Sequence, residues 1–219
     1  FYYEGNDLWN YKNQKSNNKR LNKIIPQCIF FIPVLTVIIS YFISFFGGFV
    51  DWCMPLLDGC TSISKVGRYG ISFYLYKLFI IPSLILTIIF WYQINLYIHK
   101  SNFLFSLATV SSVFLIVYLI ALGFDGNIYR FMREIGIFVF FILTPVCQVW
   151  LTISISNEKI KAKNILYILI FLYLVCLVSY LFILPLDNAK YENIIEWNFA
   201  LLIFLFFPVF SYLLRKANA

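Results

Sequence analysis

The chain has 219 residues, of which 62% are hydrophobic and 12% are charged, and its formal net charge is +7. Soluble globular proteins average roughly 45–50% apolar and about 25% charged residues, so a soluble fold could not cover its surface with so few charges. The composition therefore excludes a soluble enzyme, a soluble nucleic-acid-binding protein and a disordered chain, and it favours a protein that is solvated largely by lipid.

Six stretches of the chain are long and apolar enough to cross a membrane. A hydrocarbon core about 30 Å thick requires about 20 residues of helix, and none of these stretches shows the strict alternation that is typical of a barrel strand. The sequence therefore predicts an all-α fold: a polytopic membrane protein with a six-transmembrane-helix bundle and short loops, in a domain that covers residues 24–214. The predicted spans are 24–46, 71–91, 103–122, 135–153, 165–186 and 194–214.

The segments outside these spans are polar. Residues 1–23 form a basic arm in this prediction, residues 47–70 form the longest loop, and residues 215–219 form a tail. The first span follows a polar arm and is long for the apolar region of a signal peptide, so we expect it to be retained. Because the chain begins with Phe1 and not with Met, we expect further residues upstream.

Lysine and arginine residues are divided unequally between the two sides of the predicted bundle. The side with the excess is assigned to the cytoplasm by the positive-inside rule, which makes both termini, the arm and the tail cytoplasmic. We regard the net charge mainly as an orientation signal, and we expect membrane lipids and no nucleic acid as partners. The cytoplasmic cations are Lys12, Lys15, Lys19, Arg20, Lys23, Lys100, Lys159, Lys161, Lys163, Arg215 and Lys216, and the loop cations of the other side are Lys65, Arg68, Arg130, Arg133 and Lys190.

Two of the five cysteines lie together in the first outer loop. Cys53 and Cys60 are separated by six residues, a spacing that permits a disulfide in an oxidising compartment but does not by itself supply the geometry. The single histidine, His99, is predicted on the opposite side, and no Cys-x-x-Cys pair occurs, so we expect no metal site and no cofactor.

Charged residues, whose burial in a membrane is energetically unfavourable, lie towards the outer ends of the predicted spans. Lys77 lies six residues into the second span, while Glu134 and Glu196 come at the start of the fourth and sixth spans. Arg130 and Arg133 lie just before Glu134. One interpretation is a network of ion pairs that joins helices two, four and six. The other is a pocket in which the cations bind a lipid phosphate and the acids position them, since arginine donates two parallel bonds to phosphate.

Short motifs occur in an order that is similar to a known superfamily. That superfamily contains the damage-regulated autophagy modulators, the yeast suppressor of PI 4-kinase defects and the GPI-anchor remodelling factors. The chain resembles above all the post-GPI-attachment factor and the N-terminal domain of the cell-wall biogenesis protein, over about residues 24–214. The motifs are Ser62-Ile63-Ser64 with Gly67, Tyr74 to Lys77, Phe90-Trp91-Tyr92, Arg133-Glu134 followed by Ile135 to Phe141, and Glu196-Trp197.

The resemblance implies a fold, a cellular location and a set of site residues. It implies six helices, a lumenal first loop, and residence in an endomembrane, the Golgi or the endoplasmic reticulum first and the lysosome or plasma membrane as alternatives. By position, Lys77, Glu134 and Glu196 match recurring charged positions of the family. Members of the family often have a histidine where this chain has Arg133, so we expect no histidine-dependent chemistry.

The predicted function is lipid handling. We expect a multi-pass endomembrane protein that assists GPI-anchor lipid remodelling, or the maturation and transport of GPI-anchored proteins, through a charged lumenal pocket. GPI-anchored proteins or a lipid-modifying enzyme are the expected partners. No nucleophile–base pair is legible, which leaves open whether the chain is an enzyme. The alternative is a non-catalytic scaffold that regulates a lipid kinase or the autophagy machinery through the basic arm, and a transporter is disfavoured because no inverted repeat is evident.

Overall fold

The computed structural model describes residues 4–98, 102–156, 164–183 and 188–217, and for residues 4–23, 97–98, 155–156 and 217 it describes the backbone alone. All regular secondary structure within these ranges is helical, which confirms the predicted all-α class. The helices are α1 (Glu4–Phe46), α2 (Pro55–Asp58), α3 (Ile63–Val66), α4 (Gly70–Ile98), α5 (Asn102–Ala121), α6 (Asn127–Ser156), α7 (Asn164–Ile183) and α8 (Ala189–Ala217).

Six of these helices are long and apolar enough to span a membrane. They are α1, from Ile24 to Phe46, and α4 to α8 in chain order, so the predicted bundle of six transmembrane helices is confirmed. The two remaining helices, α2 and α3, are single turns in the long loop, residues 47–70. The backbone of the predicted arm continues α1 as a helix from residue 4, while the end of the fifth predicted span, residues 184–186, and the last two residues of the predicted tail lie outside the described residues.

Two helices begin earlier than the sequence predicts. Helix α6 starts at Asn127, eight residues before the predicted span, and α8 starts at Ala189, five residues before it. A transmembrane helix can continue into the polar interface because its backbone bonds are satisfied within the helix. Glu134 therefore lies in the second turn of α6, and Glu196 lies about 10 Å along α8 at about 1.5 Å per residue, not in its first turn.

Helix α8 is the centre of the bundle. It packs on α1, α2 and α7, while α1 also packs on α4 and α5 packs on both α4 and α6. Of the six spans, α8 has the largest buried share and α7 the smallest. Helix α8 contacts α4 through aromatic rings. The centre of the Phe90 ring lies 5.1 Å from that of Phe207 and 6.1 Å from that of Phe210, and both pairs are edge to face. Each such pair contributes about 0.5–1.5 kcal/mol.

Helices α5 and α6 approach each other closely because of a glycine. A Cβ on Gly136 would come within 2.6 Å of the Phe114 carbonyl and 2.8 Å of the Tyr118 Cβ. Small residues allow such close approach between membrane helices. A hydrogen bond of 2.6 Å between Ser111 Oγ and Thr144 Oγ1 joins the same two helices deeper in the bundle. This contact fixes the position of Tyr118, which matters for the site.

Candidate functional site

A cavity of about 270 Å³ lies beneath the long loop, between α1, α4, α5, α6 and α8. Aliphatic and aromatic side chains form most of its wall, and the polar side chains that line it come from one region: Tyr76 on α4, Tyr118 on α5, and Glu196 with Trp197 on α8. The cavity is therefore apolar with a polar patch. The apolar wall includes Val37, Ile80, Leu115, Leu119, Phe140, Ala200 and Phe204.

The cavity wall is partly exposed on the outside of the bundle. Ile38 lines the cavity and is 43% exposed, and Ile137 and Phe141 on the facing side are half-buried. Helix α1 packs mainly on α4 and α8, and α6 packs mainly on α5. All five long helices that line the cavity are candidate membrane spans, so the cavity lies within the membrane-spanning bundle.

Glu196 is the acidic group of the cavity. Its carboxylate accepts a hydrogen bond from the backbone N–H of Ile63, the first residue of α3, and it faces the hydroxyl groups of Tyr76 and Tyr118. Within the described ranges, no cation lies within ion-pair distance of it, since the salt bridge found there involves other residues. An ionisable side chain inside a membrane bundle is costly, and such residues usually mark a functional site.

Two tyrosines lie near Glu196, and Arg68 and Ser64 lie near one of them. Tyr76 and Tyr118 are only 6% and 3% exposed, and Tyr118 faces Arg68 and Ser64 as well as Glu196. Tyr118 Oη and Arg68 Nε are buried atoms that find no hydrogen-bond partner of good geometry in the part of the chain that the structure describes. Buried polar atoms are nearly always paired, and Tyr118 lines the cavity, so its hydroxyl is available to a ligand there.

Sequence reasoning selected Glu196 but missed Arg68, Tyr76 and Tyr118. The signal for the two tyrosines was their position inside spans, because tyrosine is most frequent at the membrane interface and its hydroxyl needs a partner when buried. Arg68 carries no such signal, since it lies in a loop. The ring of Tyr76 packs against Gly67, where a Cβ would come within 2.8 Å of the ring.

The long loop is held on α8 by three side-chain donors of that helix. Asn193 Nδ2 donates to the Gly59 carbonyl at 2.8 Å, Trp197 Nε1 to the Thr61 carbonyl at 2.9 Å, and Asn198 Nδ2 to the Leu56 carbonyl at 3.0 Å. These bonds bring Leu56 and Ile63 into the cavity wall. The loop therefore closes the cavity at this end.

The predicted cysteine pair is joined within the same loop. Cys53 and Cys60 form a disulfide with their Cα atoms 6.5 Å apart, inside the usual range of 4.4–6.8 Å. The Cys53 backbone N–H donates to Tyr41 Oη at 2.8 Å, and that hydroxyl donates to the Cys53 carbonyl at 2.8 Å. Gly59 has a φ of +60° and lies against the Lys190 carbonyl, so a Cβ there would overlap it. The loop is thus fixed at both ends of the disulfide.

The other predicted site residues gather at a different place, the α5–α6 corner (residues 120–134). The Lys77 ammonium lies 4.0 Å from the centre of the Phe73 ring and 5.0 Å from that of Phe124, and it donates to the Ile120 carbonyl at 3.4 Å. Arg133 Nη1 donates to the Ala121 carbonyl at 3.1 Å and to the Phe124 carbonyl at 2.6 Å. Both cations therefore bind carbonyls at the C-terminal end of α5, where the helix dipole favours positive charge.

The remaining pair at this corner is local and exposed. Arg130 Nε lies 2.9 Å from Glu134 Oε1 in the same helix, with 74% and 62% of the two side chains exposed. This is the salt bridge present among the described residues. These residues therefore do not form the ion-pair network between the second, fourth and sixth spans (α4, α6 and α8) that one interpretation of the sequence predicted. Lys77 forms no salt bridge with Glu134 or Glu196 among the described residues. The five predicted residues divide into Glu196 in the cavity and four at the corner.

Comparisons with protein-family models, with curated proteins and with solved structures found no match for this chain. The resemblance that the motifs indicate therefore stays a prediction, and the function is inferred mainly from the cavity and the residues that line it.

Proposed function

We propose that this chain is a lipid-handling membrane protein, which takes one chain of a membrane amphiphile into the cavity and holds its head group at Glu196. The observation that carries the proposal is the half-buried carboxylate in the wall of an apolar cavity that lies between membrane-spanning helices. Ligand sites are usually apolar hollows with a few convergent polar groups, and this cavity has that composition.

The size of the cavity limits what it holds. A cavity of about 150 Å³ accommodates benzene, so 270 Å³ accommodates about eleven non-hydrogen atoms in proportion. That is enough for a head atom and part of one acyl chain, but it is too small for a whole phospholipid. The rest of such a molecule would remain in the bilayer, outside the cavity.

The cellular role that we propose is assistance in GPI-anchor lipid remodelling, or in the maturation and transport of GPI-anchored proteins, in the Golgi or endoplasmic reticulum. The motif resemblance supports this role, with GPI-anchored proteins or a lipid-modifying enzyme as partners. The charge distribution supports an orientation with both termini in the cytoplasm and the long loop in the lumen.

The α5–α6 corner has a supporting role in this proposal. Arg133 donates to two carbonyls and Arg130 pairs with Glu134, whereas the Lys77 ammonium has one hydrogen-bond acceptor among the described residues, at 3.4 Å. An ammonium has three N–H donors. Lys77 is therefore the cation that we propose for contact with a lipid phosphate at the membrane surface, while the two arginines stabilise the corner.

The experiment is complementation in cells that lack the chain. Wild type and the control Glu192→Gln, one turn earlier on the same helix, should restore GPI-anchored proteins at the cell surface, measured by flow cytometry with anchor lipids analysed by mass spectrometry. Glu196→Gln and the cavity-filling Ala200→Phe should fail at equal expression, and Lys77→Ala should restore only part. Full rescue by both cavity variants would remove the cavity from the function.

One observation favours a second candidate function. The backbone of residues 4–23 continues α1 as a helix beyond the predicted span, which adds about 30 Å of helix at about 1.5 Å per residue, and this segment is rich in lysine. A non-catalytic scaffold for a lipid kinase or for autophagy factors would use such a projection. Deleting residues 1–20 should abolish a scaffold function and leave lipid binding in the cavity unchanged.

A further inference from the structure

We infer that the head group admitted to this cavity is an uncharged hydroxyl, as in a single-chain alcohol or a monoacylglycerol, and that anionic head groups are rejected there. The inference rests on the proposed function, because it specifies the ligand of the same site. It follows from the hydrogen-bonding groups, the local charges and the size of the cavity.

The hydrogen-bonding groups match a hydroxyl. The carboxylate of Glu196 has lone pairs beyond the one that Ile63 N–H occupies, and a carboxylate is an acceptor only. Tyr118 Oη lies beside the Ser64 side chain without a hydrogen bond of good geometry among the described residues, and since a serine hydroxyl can itself donate, the Tyr118 O–H remains a donor. A hydroxyl group has one donor and two acceptor lone pairs, so it can donate to Glu196 and accept from Tyr118 at the same time.

The charges exclude a phosphate or carboxylate from the same position. A phosphate beside Glu196 brings a second negative charge into a poorly solvated space, where like charges repel strongly. No lysine or arginine is among the residues that line the cavity, so a second anion there would have no neighbouring cation. An alcohol adds no charge to the cavity.

The cations of the α5–α6 corner do not alter the charge of the cavity. Lys77, Arg130 and Arg133 are turned to aromatic rings, to carbonyls or to Glu134, and none of the three lines the cavity. A phosphate therefore contacts Lys77, outside the cavity, whereas the hydroxyl group of an amphiphile donates to Glu196 inside it. Phosphate and hydroxyl head groups thus bind at different places.

The test compares two probes that fill the cavity. Decanol has eleven non-hydrogen atoms, close to the proportionate capacity of about eleven atoms, and decanoate has about twelve with an anionic carboxylate head, so the two probes differ in head-group charge and hardly in size. Each probe carries a photoreactive diazirine in its chain and is cross-linked to the full-length protein in lipid nanodiscs. Mass spectrometry then quantifies the adducts on peptides that line the cavity.

We expect decanol to label the cavity peptides of the wild type about tenfold more than decanoate, the size of effect that a hydrogen bond to a charged group gives. Glu196→Gln removes the repulsion and should bring the two probes to within about twofold of each other, whereas Glu192→Gln should keep the wild-type ratio. A role of Glu196 in folding alone would not change which head group is accepted.

The outcomes separate this inference from the proposed function. Equal labelling of the wild type by both probes, or a preference for decanol that survives in Glu196→Gln, would overturn the hydroxyl assignment while leaving lipid binding intact. Ala200→Phe should abolish cavity labelling by both probes, and the lipid-facing Leu181→Phe should not. If Ala200→Phe labels like the wild type, or if neither probe labels the cavity of the wild type, the proposed function fails and this inference with it.

Discussion

The carboxylate of Glu196 accepts a hydrogen bond from the backbone N–H of Ile63, which starts the short helix α3. This bond crosses from the central helix to the long loop, and it lies beside the three bonds that α8 side chains donate to the same loop. The acid therefore has two roles: it lines the cavity, and it holds the loop that closes the cavity.

Removing the acceptor at position 196 should destabilise the protein more than removing its charge. Glu196→Ala leaves the buried N–H of Ile63 unpaired, and an unsatisfied buried group costs about 1–3 kcal/mol, whereas Glu196→Gln keeps an oxygen in place. We expect the apparent Tm in detergent to fall by several degrees for the alanine variant and by less for the glutamine variant. Equal decreases for both would mean that the bond to Ile63 contributes nothing measurable.

Gly59 should be intolerant of alanine because of its contact with α8. Gly48 and Gly59 both have positive φ, +73° and +60°, but a Cβ on Gly48 meets nothing within 4 Å, while one on Gly59 overlaps the Lys190 carbonyl. Both substitutions carry the backbone penalty of about 1 kcal/mol, and only Gly59→Ala also displaces the loop. We expect Gly59→Ala to lower the Tm clearly more and to increase proteolysis within the long loop.

That difference is measured against the Gly48→Ala variant under the same conditions. If limited proteolysis and thermal unfolding give the same values for the two variants, the loop does not dock on α8 as the structure describes.

The disulfide should stabilise the long loop. Cross-linking Cys53 and Cys60 closes a loop of about eight residues, for which the chain-entropy relation gives about 2.5 kcal/mol. We expect Cys53→Ser with Cys60→Ser to lower the Tm, and a reductant to lower the Tm of the wild type to the same value without affecting the double variant. Cys176→Ser, on the peripheral helix α7, is the control and should keep the response to reductant.

The sequence predicts the helices well because the bilayer leaves few alternatives. About 20 apolar residues must form a helix in lipid, and Ile24 to Phe46 is found with the predicted bounds. Lys77 and Glu196 could be selected because a charge inside a span is costly. Tyr118 could not be assigned to the site, since its approach to Glu196 depends on how α5 and α8 pack around the loop.

The partners of the charged residues were predicted less accurately, because they too depend on contacts that the sequence does not show. Arg130 and Glu134 are four residues apart on one helix, and such neighbours pair without any tertiary contact. Lys77 finds its partners in the rings of Phe73 and Phe124 and in a carbonyl. A list of charges in a sequence does not show that carbonyls at a helix end compete with carboxylates for the same cations.

Arg130 and Arg133 lie one turn apart on α6 and should differ strongly when each is changed to glutamine. Arg133 satisfies the carbonyls of Ala121 and Phe124 at the end of α5, and hydrogen bonds to a charged group contribute about 1.5–3 kcal/mol each. The exposed pair of Arg130 with Glu134 contributes less than about 0.5 kcal/mol. We expect Arg133→Gln to lower the Tm by several degrees and Arg130→Gln to leave it within about one degree, because both remove the same charge and only the first removes the helix-end bonds. Similar losses for the two variants would assign the effect to net charge and contradict the contacts of Arg133.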